Sequence, residues 1–181
     1  MSRTQFSSLG RRTFLLGSLF AVVSAQASTR FEPDDFPPGQ VRTLMVYVPA
    51  ITDGDTFYVE VNGTRRRVRL AEVDAPESGQ PFGHRSEQSL RELVWKKQVQ
   101  VTWSEVDRYG RPIVSVKTMD GIDVGAEQVR RGLAWVYRRY AKDQRLYPLE
   151  DAARTARIGL WADPSPQPPW EWRKEHRPPQ P

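Results

Sequence analysis

The run Asp53-Gly54-Asp55-Thr56-Phe57-Tyr58-Val59-Glu60-Val61-Asn62-Gly63-Thr64-Arg65-Arg66-Arg67-Val68-Arg69-Leu70-Ala71-Glu72-Val73-Asp74-Ala75-Pro76-Glu77 decides how this chain folds. Phe57, Val59 and Val61 alternate with polar positions, the period of a strand with one buried face. Asn62-Gly63 supplies two residues that tolerate positive φ, the chemistry of a two-residue hairpin turn. Arg65 to Val73 then continues as a second strand-like run. Strands joined by so tight a turn run antiparallel, so the start of the first lies beside the end of the second. The acidic segments Asp53–Asp55 and Asp74–Glu77 therefore become neighbours.

Outward from this hairpin, Val41–Val48 reads as a preceding strand. Val99, Val101 and Trp103 alternate again, and Ile113–Lys117 supplies a fifth strand before the tight turn at Asp120-Gly121. Helices are expected over Phe82–Val94, over Val124–Arg131, and over Leu149–Ile158, where Pro148 suits the first turn and Gly159 the stop. The expected fold class is β-rich α+β, five strands with about three helices, a pattern compatible with a small closed Greek-key barrel, although alternation alone does not establish strand order.

The remaining segments divide by composition. The full chain has 181 residues, a size suited to one domain, and no Cys, which excludes disulfides, thiolate metal sites and a cysteine nucleophile. Residues 1–27 carry Arg3, Arg11 and Arg12, no acid, the apolar stretch Thr13–Val23, and then Ala25-Gln26-Ala27, the layout of a cleaved export signal. That stretch is about half the roughly 20 residues needed to span a bilayer, so no lasting membrane anchor is expected. Arg11-Arg12-Thr13-Phe14-Leu15-Leu16 resembles the twin-arginine signals, which implies export of a folded protein to the periplasm or beyond. Losing three cations leaves 24 basic against 22 acidic residues, so a polyanionic partner must be argued from where particular arginines sit. Residues 28–40 form an irregular lead-in, the domain spans 41–162, and residues 163–181 form a Pro/Trp-rich tail. Seven of the 15 prolines fall there, and Pro168-Pro169-Trp170-Glu171-Trp172 reads as extended chain laid on the domain by its tryptophans.

Convergent carboxylates repel unless something positive is bound, and a hard divalent cation held by carboxylate, carbonyl and water oxygens is the natural occupant. The loop is no EF-hand, because counting from Asp53 places Tyr58 where Gly is required and Thr64 where a Glu belongs. Arg69, and Arg111 within Asp107-Arg108-Tyr109-Gly110-Arg111, supply the complementary charge. A phosphodiester between the cation and two guanidinium groups satisfies both halves, since planar donors match the charge that develops on phosphorus-bound oxygens. The competing expectation is that Arg69 and Arg111 form ordinary ion pairs with Asp or Glu. No Gly-Lys pair and no Gly-X-Gly occurs, and His84 and His176 are the only histidines, which removes Walker, dinucleotide-binding and zincin signatures.

The order Asp-Gly-Asp-Thr, Val68-Arg69-Leu70, Val73-Asp74-Ala75-Pro76-Glu77 and Asp107-Arg108-Tyr109-Gly110-Arg111 resembles the staphylococcal (micrococcal) nuclease-like thermonuclease family. Gln80-Pro81-Phe82-Gly83, Val129–Ala134 and Gly159-Leu160-Trp161 extend the likeness over about residues 41–162. The resemblance implies an oligonucleotide/oligosaccharide-binding (OB) barrel and calcium-dependent hydrolysis of DNA and RNA to 3′-phosphate products by a monomer. It implies that Asp55, Asp74 and the carbonyl of Ala75 bind calcium, with Asp53 and Thr56 in the outer shell. Glu77 would orient or deprotonate water, Arg69 and Arg111 would bind the scissile phosphate, and Tyr109 and Tyr137 would contact the nucleotide. Ala75 stands where the family's reference enzyme has Thr, a change that a main-chain ligand tolerates. A non-catalytic OB module that binds single strands by basic groove and aromatic stacking is the alternative.

Overall fold

The computed structural model describes residues 41–176. The export-signal and lead-in segments lie outside the described residues, as do residues 177–181.

In chain order the elements are β1 (Arg42–Ile51), β2 (Thr56–Val61), β3 (Thr64–Leu70), β4 (Val73–Asp74), α1 (Gly83–Val94), β5 (Gln98–Val106), β6 (Pro112–Thr118), α2 (Val124–Arg130), β7 (Trp135–Val136), α3 (Leu146–Thr155), a 3-10 turn (Gly159–Ala162) and α4 (Pro169–Glu175). Five strands close a barrel in the order β1-β2-β3-β6-β5, with β5 returning to β1. All its pairings are antiparallel except β3 with β6. The barrel class and the β-rich α+β assignment expected from alternation are what the chain adopts. The hairpin also forms as expected: Val61 pairs with Thr64, and Asn62 and Gly63 take φ values of 51° and 76°.

Inward-facing Val46, Val48, Phe57, Val59, Val68, Leu70, Val99, Val101, Val114 and Val116 fill the barrel, and all are buried. Leu90, Leu93 and Val94 of α1 and Val124 and Val129 of α2 belong to the same core. Each fully buried side chain of this size contributes roughly 1.5–3 kcal/mol relative to exposure, so barrel and helices form one continuous apolar unit. A second cluster, Trp135, Ala153, Leu160 and Trp161, lies under α3 and the 3-10 turn, with Trp170 packed against it.

The structure corrects three boundaries. β3 stops at Leu70, not Val73. The Ala71 N–H donates to the Val114 carbonyl at 2.9 Å, and Glu72 then takes a left-handed φ of 64°, which ends the strand. Val73-Asp74 instead pairs with Val136-Trp135 of β7. α3 begins at Leu146, three residues earlier than expected, and places Pro148 in its first turn, where a missing N–H costs nothing. The third correction concerns the tail. Pro169–Glu175 is a helix, not an extended segment, making a fourth helix. Pro169 sits at its first helical position after an extended Pro168, Glu171 lies in the first turn, and Arg173 and Lys174 in the last, charges that suit the helix dipole.

The strand registers gather the functional segments at one end. Ile51 pairs with Phe57, Thr56 with Arg69, Arg69 with Ile113, and Pro112 with Val106. The connections 52–55 and 107–111 and the chain leaving Leu70 thus open from the same rim of the barrel.

Candidate active site

Asp55 and Asp74 meet at that rim. Asp55 ends the turn before β2, where its own N–H donates to Asp53 Oδ1 at 3.0 Å. Its Oδ1 accepts from Thr56 Oγ1 at 2.8 Å, and its Oδ2 accepts from the Ala75 N–H at 3.0 Å. Arg69 Nη2 donates to Asp55 Oδ2 at 2.9 Å and to Asp74 Oδ1 at 2.6 Å. One guanidinium nitrogen therefore joins the two acidic segments, whose nearest oxygens lie no further apart than those two distances combined.

The acidic turn is held against the helices. Gln128 of α2, fully buried, donates through Nε2 to the Gly54 carbonyl at 2.9 Å and to the Ser86 carbonyl at 3.1 Å. Ser86 of α1 in turn donates to the Leu133 carbonyl at 2.6 Å. Gly54 lies so close to this support that a Cβ there would overlap the Ser86 hydroxyl and stand 2.8 Å from the Ala75 methyl.

Burial sets the electrostatics. Asp53 is pushed up to about 7, first by burial and then by the charge of Asp55. Burial also raises Asp74, an effect its hydrogen bond from Arg173 opposes and the Asp55 charge reinforces. Burial alone would weaken the charge of Arg69, but Asp55 and Asp74 outweigh it and hold its pKa above the ordinary value. Buried acids here raise the pKa of the guanidinium that pairs with them.

Arg173 of α4 is the second cation. Its Nη1 and Nη2 donate to Asp74 Oδ1 and Oδ2 at 3.0 and 2.7 Å, and Nη1 also donates to Glu77 Oε1 at 2.7 Å. Burial opposes its charge, yet the bonds to Asp74 and Glu77 raise its pKa. The sequence pattern does not reveal this residue, because consecutive prolines read as extended chain while Pro169 in fact opens a helix. A proline at the first helical position with acid early and bases late was the signal that could have found it.

Arg111 is held elsewhere on the rim. Asp107 Oδ1 accepts from the N–H groups of Tyr109 and Arg111 at 2.8 and 2.9 Å, and Asp107 Oδ2 accepts from Arg111 Nε at 2.8 Å. Arg111 thus has the ion-pair partner that the competing expectation named, while standing two residues before Ile113, the register partner of Arg69. The Tyr109 ring is exposed, with the Arg111 guanidinium 5.5 Å from its centre. Tyr137 lies 5.8 Å beneath the Arg69 guanidinium, and the Trp170 ring stacks on it at 5.6 Å and 4°.

These oxygens suit a hard divalent cation: two buried carboxylates, Asp55 and Asp74, converge on one positive nitrogen, with the Asp53 carboxylate hydrogen-bonded to the backbone beside them. Among the described residues no three acidic or histidine side chains close into a ready metal cluster, so backbone and water oxygens would have to complete a shell around Asp55 and Asp74.

The family description "Staphylococcal nuclease homologue" matches residues 67–163. The chain belongs to the staphylococcal nuclease family. A micrococcal nuclease of Shigella flexneri is 45% identical over 151 residues, covering 72% of this chain and 87% of that protein. An uncharacterized endonuclease of Escherichia coli O157:H7 is 44% identical over 126 residues, covering 70% and 82%. A staphylococcal-like nuclease of Arabidopsis thaliana is 39% identical over 118 residues, 65% of this chain and 36% of that longer protein. The staphylococcal nuclease fold, an OB barrel with helices, accounts for the strand order above, and membership makes the chain a nuclease hydrolase.

Proposed function

We propose that this nuclease is exported and hydrolyses phosphodiester bonds of DNA and RNA at the barrel rim in a calcium-dependent reaction that leaves 3′-phosphate ends. The observation that carries the reading is the bridge from Arg69 to Asp55 and Asp74, which brings phosphate-binding and cation-binding chemistry to one point. Export rests on the paired arginines and apolar stretch of residues 1–27.

Asp55, Asp74 and the Ala75 carbonyl would hold calcium, with Asp53 and Thr56 around them. Calcium bound there supplies positive charge that polarises the phosphodiester and offsets the charge developing on its oxygens. Arg69 would turn its guanidinium from the acids to the phosphate, and Arg111 would reach the phosphate from the 107–111 connection on the same rim. Glu77 orients a water molecule and accepts its proton as the water oxygen bonds to phosphorus. The bond to the 5′-oxygen breaks, that oxygen takes up a proton, and the phosphate remains on the 3′ side. Tyr109 offers an exposed ring to the nucleotide, whereas Tyr137 serves only through the part of its surface that Trp170 leaves open.

The test is digestion of end-labelled single- and double-stranded DNA and RNA by the purified protein, with calcium and with chelator, followed by end-group analysis. Calcium-dependent cleavage with retained 3′-phosphate is expected. Substrate left intact but retarded on a gel, with chelator making no difference, would replace this reading by the binding-module alternative.

A further inference from the structure

The Arg173 contact is the one strong interaction at the rim that the hydrolytic reading leaves unused. Asp74 is 0% exposed, and its two oxygens accept from Arg69 and twice from Arg173. In this arrangement no solvent reaches Asp74, and both of its oxygens, with three of their roughly four acceptor sites, face guanidinium groups. Glu77, the residue that would receive the proton of water, is held by the same arginine.

The helix carrying Arg173 is docked, not loosely draped. Trp170 stacks on Tyr137 and meets the Trp135 ring edge-on at 5.6 Å. Gln80 donates to the Gln167 carbonyl at 2.6 Å, and Gln167 Nε2 reaches Glu175 Oε2 at 2.7 Å, closing the segment on itself. Arg173 remains accessible, its side chain 40% exposed, so it can leave without unfolding the barrel.

We propose that α4 is a self-supplied strap over the active site, in which Arg173 occupies the charge position at Asp74 and Glu77, so that calcium binds only as Arg173 withdraws. The tail then sets the calcium concentration at which the enzyme switches on. The physics is competition: a doubly charged ion and a guanidinium group need the same lone pairs and repel each other, so whatever stabilises the strap weakens the ion by the same factor. Trp170 contributes as the anchor that keeps the local concentration of Arg173 high.

This inference rests on the calcium reading above, and its test separates the two. Calcium affinity is measured by titration calorimetry on the full chain, on Arg173→Gln and on Trp170→Ala, with amide hydrogen exchange of α4 followed with and without calcium. Arg173→Gln should bind calcium at least about tenfold more tightly, since it removes the competing charge and its three bonds to Asp74 and Glu77, each worth about a tenfold factor or more. Trp170→Ala keeps the charge but loosens the anchor, and should bind several-fold more tightly. Calcium should speed exchange at Trp172–His176 in the unaltered protein. Equal affinity in all three proteins with unchanged α4 exchange overturns the strap and leaves the calcium reading standing. A gain in Arg173→Gln alone, with α4 exchange unchanged, also overturns it, as a local charge effect. Absence of calcium binding in every protein overturns both.

Discussion

Arg69 is the residue on which both halves of the site depend. Its removal leaves two buried carboxylates facing each other, and losing one partner of a buried pair costs about 3 kcal/mol or more. Arg69→Ala in chelator should therefore unfold at markedly lower urea concentration than the unaltered protein, with calcium restoring part of the loss. Glu77→Gln and Arg111→Ala should each lower turnover by about two orders of magnitude, as expected when groups acting in the transition state are lost. Circular dichroism should stay unchanged in both. Asp107 acts through Arg111. Burial raises its pKa, but hydrogen bonds from Arg111 and Tyr109 outweigh this and hold it below the ordinary carboxylate value. A carboxylate depressed on folding stabilises the protein above its unfolded pKa, near 3.9, and that contribution disappears as pH falls through the lower folded value. Asp107→Asn should thus cost about 1 kcal/mol at pH 7 in urea unfolding, and the gap to the unaltered protein should narrow in strong acid.

At the scale of elements, the hairpin was legible because its signal is local. Asn62-Gly63 fixes the turn, the turn fixes the register, and the register places Thr56 opposite Arg69, which brings Asp55 beside the end of β3; the break at Glu72 and the pairing of β4 with β7 then carry Asp74 to it. The support beneath them was not legible. Gln128 reaches Gly54 across 74 residues, and nothing in a polar residue on a short helix announces such a bond. Gly54→Ala tests that support: its methyl would press into Ser86 and Ala75, and overpacking of this kind costs roughly 1–3 kcal/mol. Thermal unfolding should reveal it, together with weaker calcium binding from a displaced Asp55. The tail helix was hidden for a different reason. Its prolines suppress helical periodicity, while its stability comes from packing Trp170 on Tyr137 and Trp135, which only the folded chain brings together.

For the whole molecule, the barrel order β1-β2-β3-β6-β5 leaves one rim open and collects there segments distant in sequence, such as Arg173 and Asp74, 99 residues apart. Alternation established the number of barrel strands, but not that β3 would lie parallel to β6, since side-chain period carries no information about neighbour order. A ligand that binds only this assembled rim stabilises the whole fold by mass action, by about 2.7 kcal/mol at a hundred times its dissociation constant. Saturating calcium should therefore raise the melting temperature by roughly 6–10 °C, and chelator should reverse the rise.

The closure of β1 on β5 carries a last implication. Arg42 pairs with Trp103, so the first described strand is sealed by one 61 positions further along the chain, and the rim exists only after that seal is made. A chain that stops short of β5 cannot close this barrel, and so cannot gather the acids and their arginines at one rim.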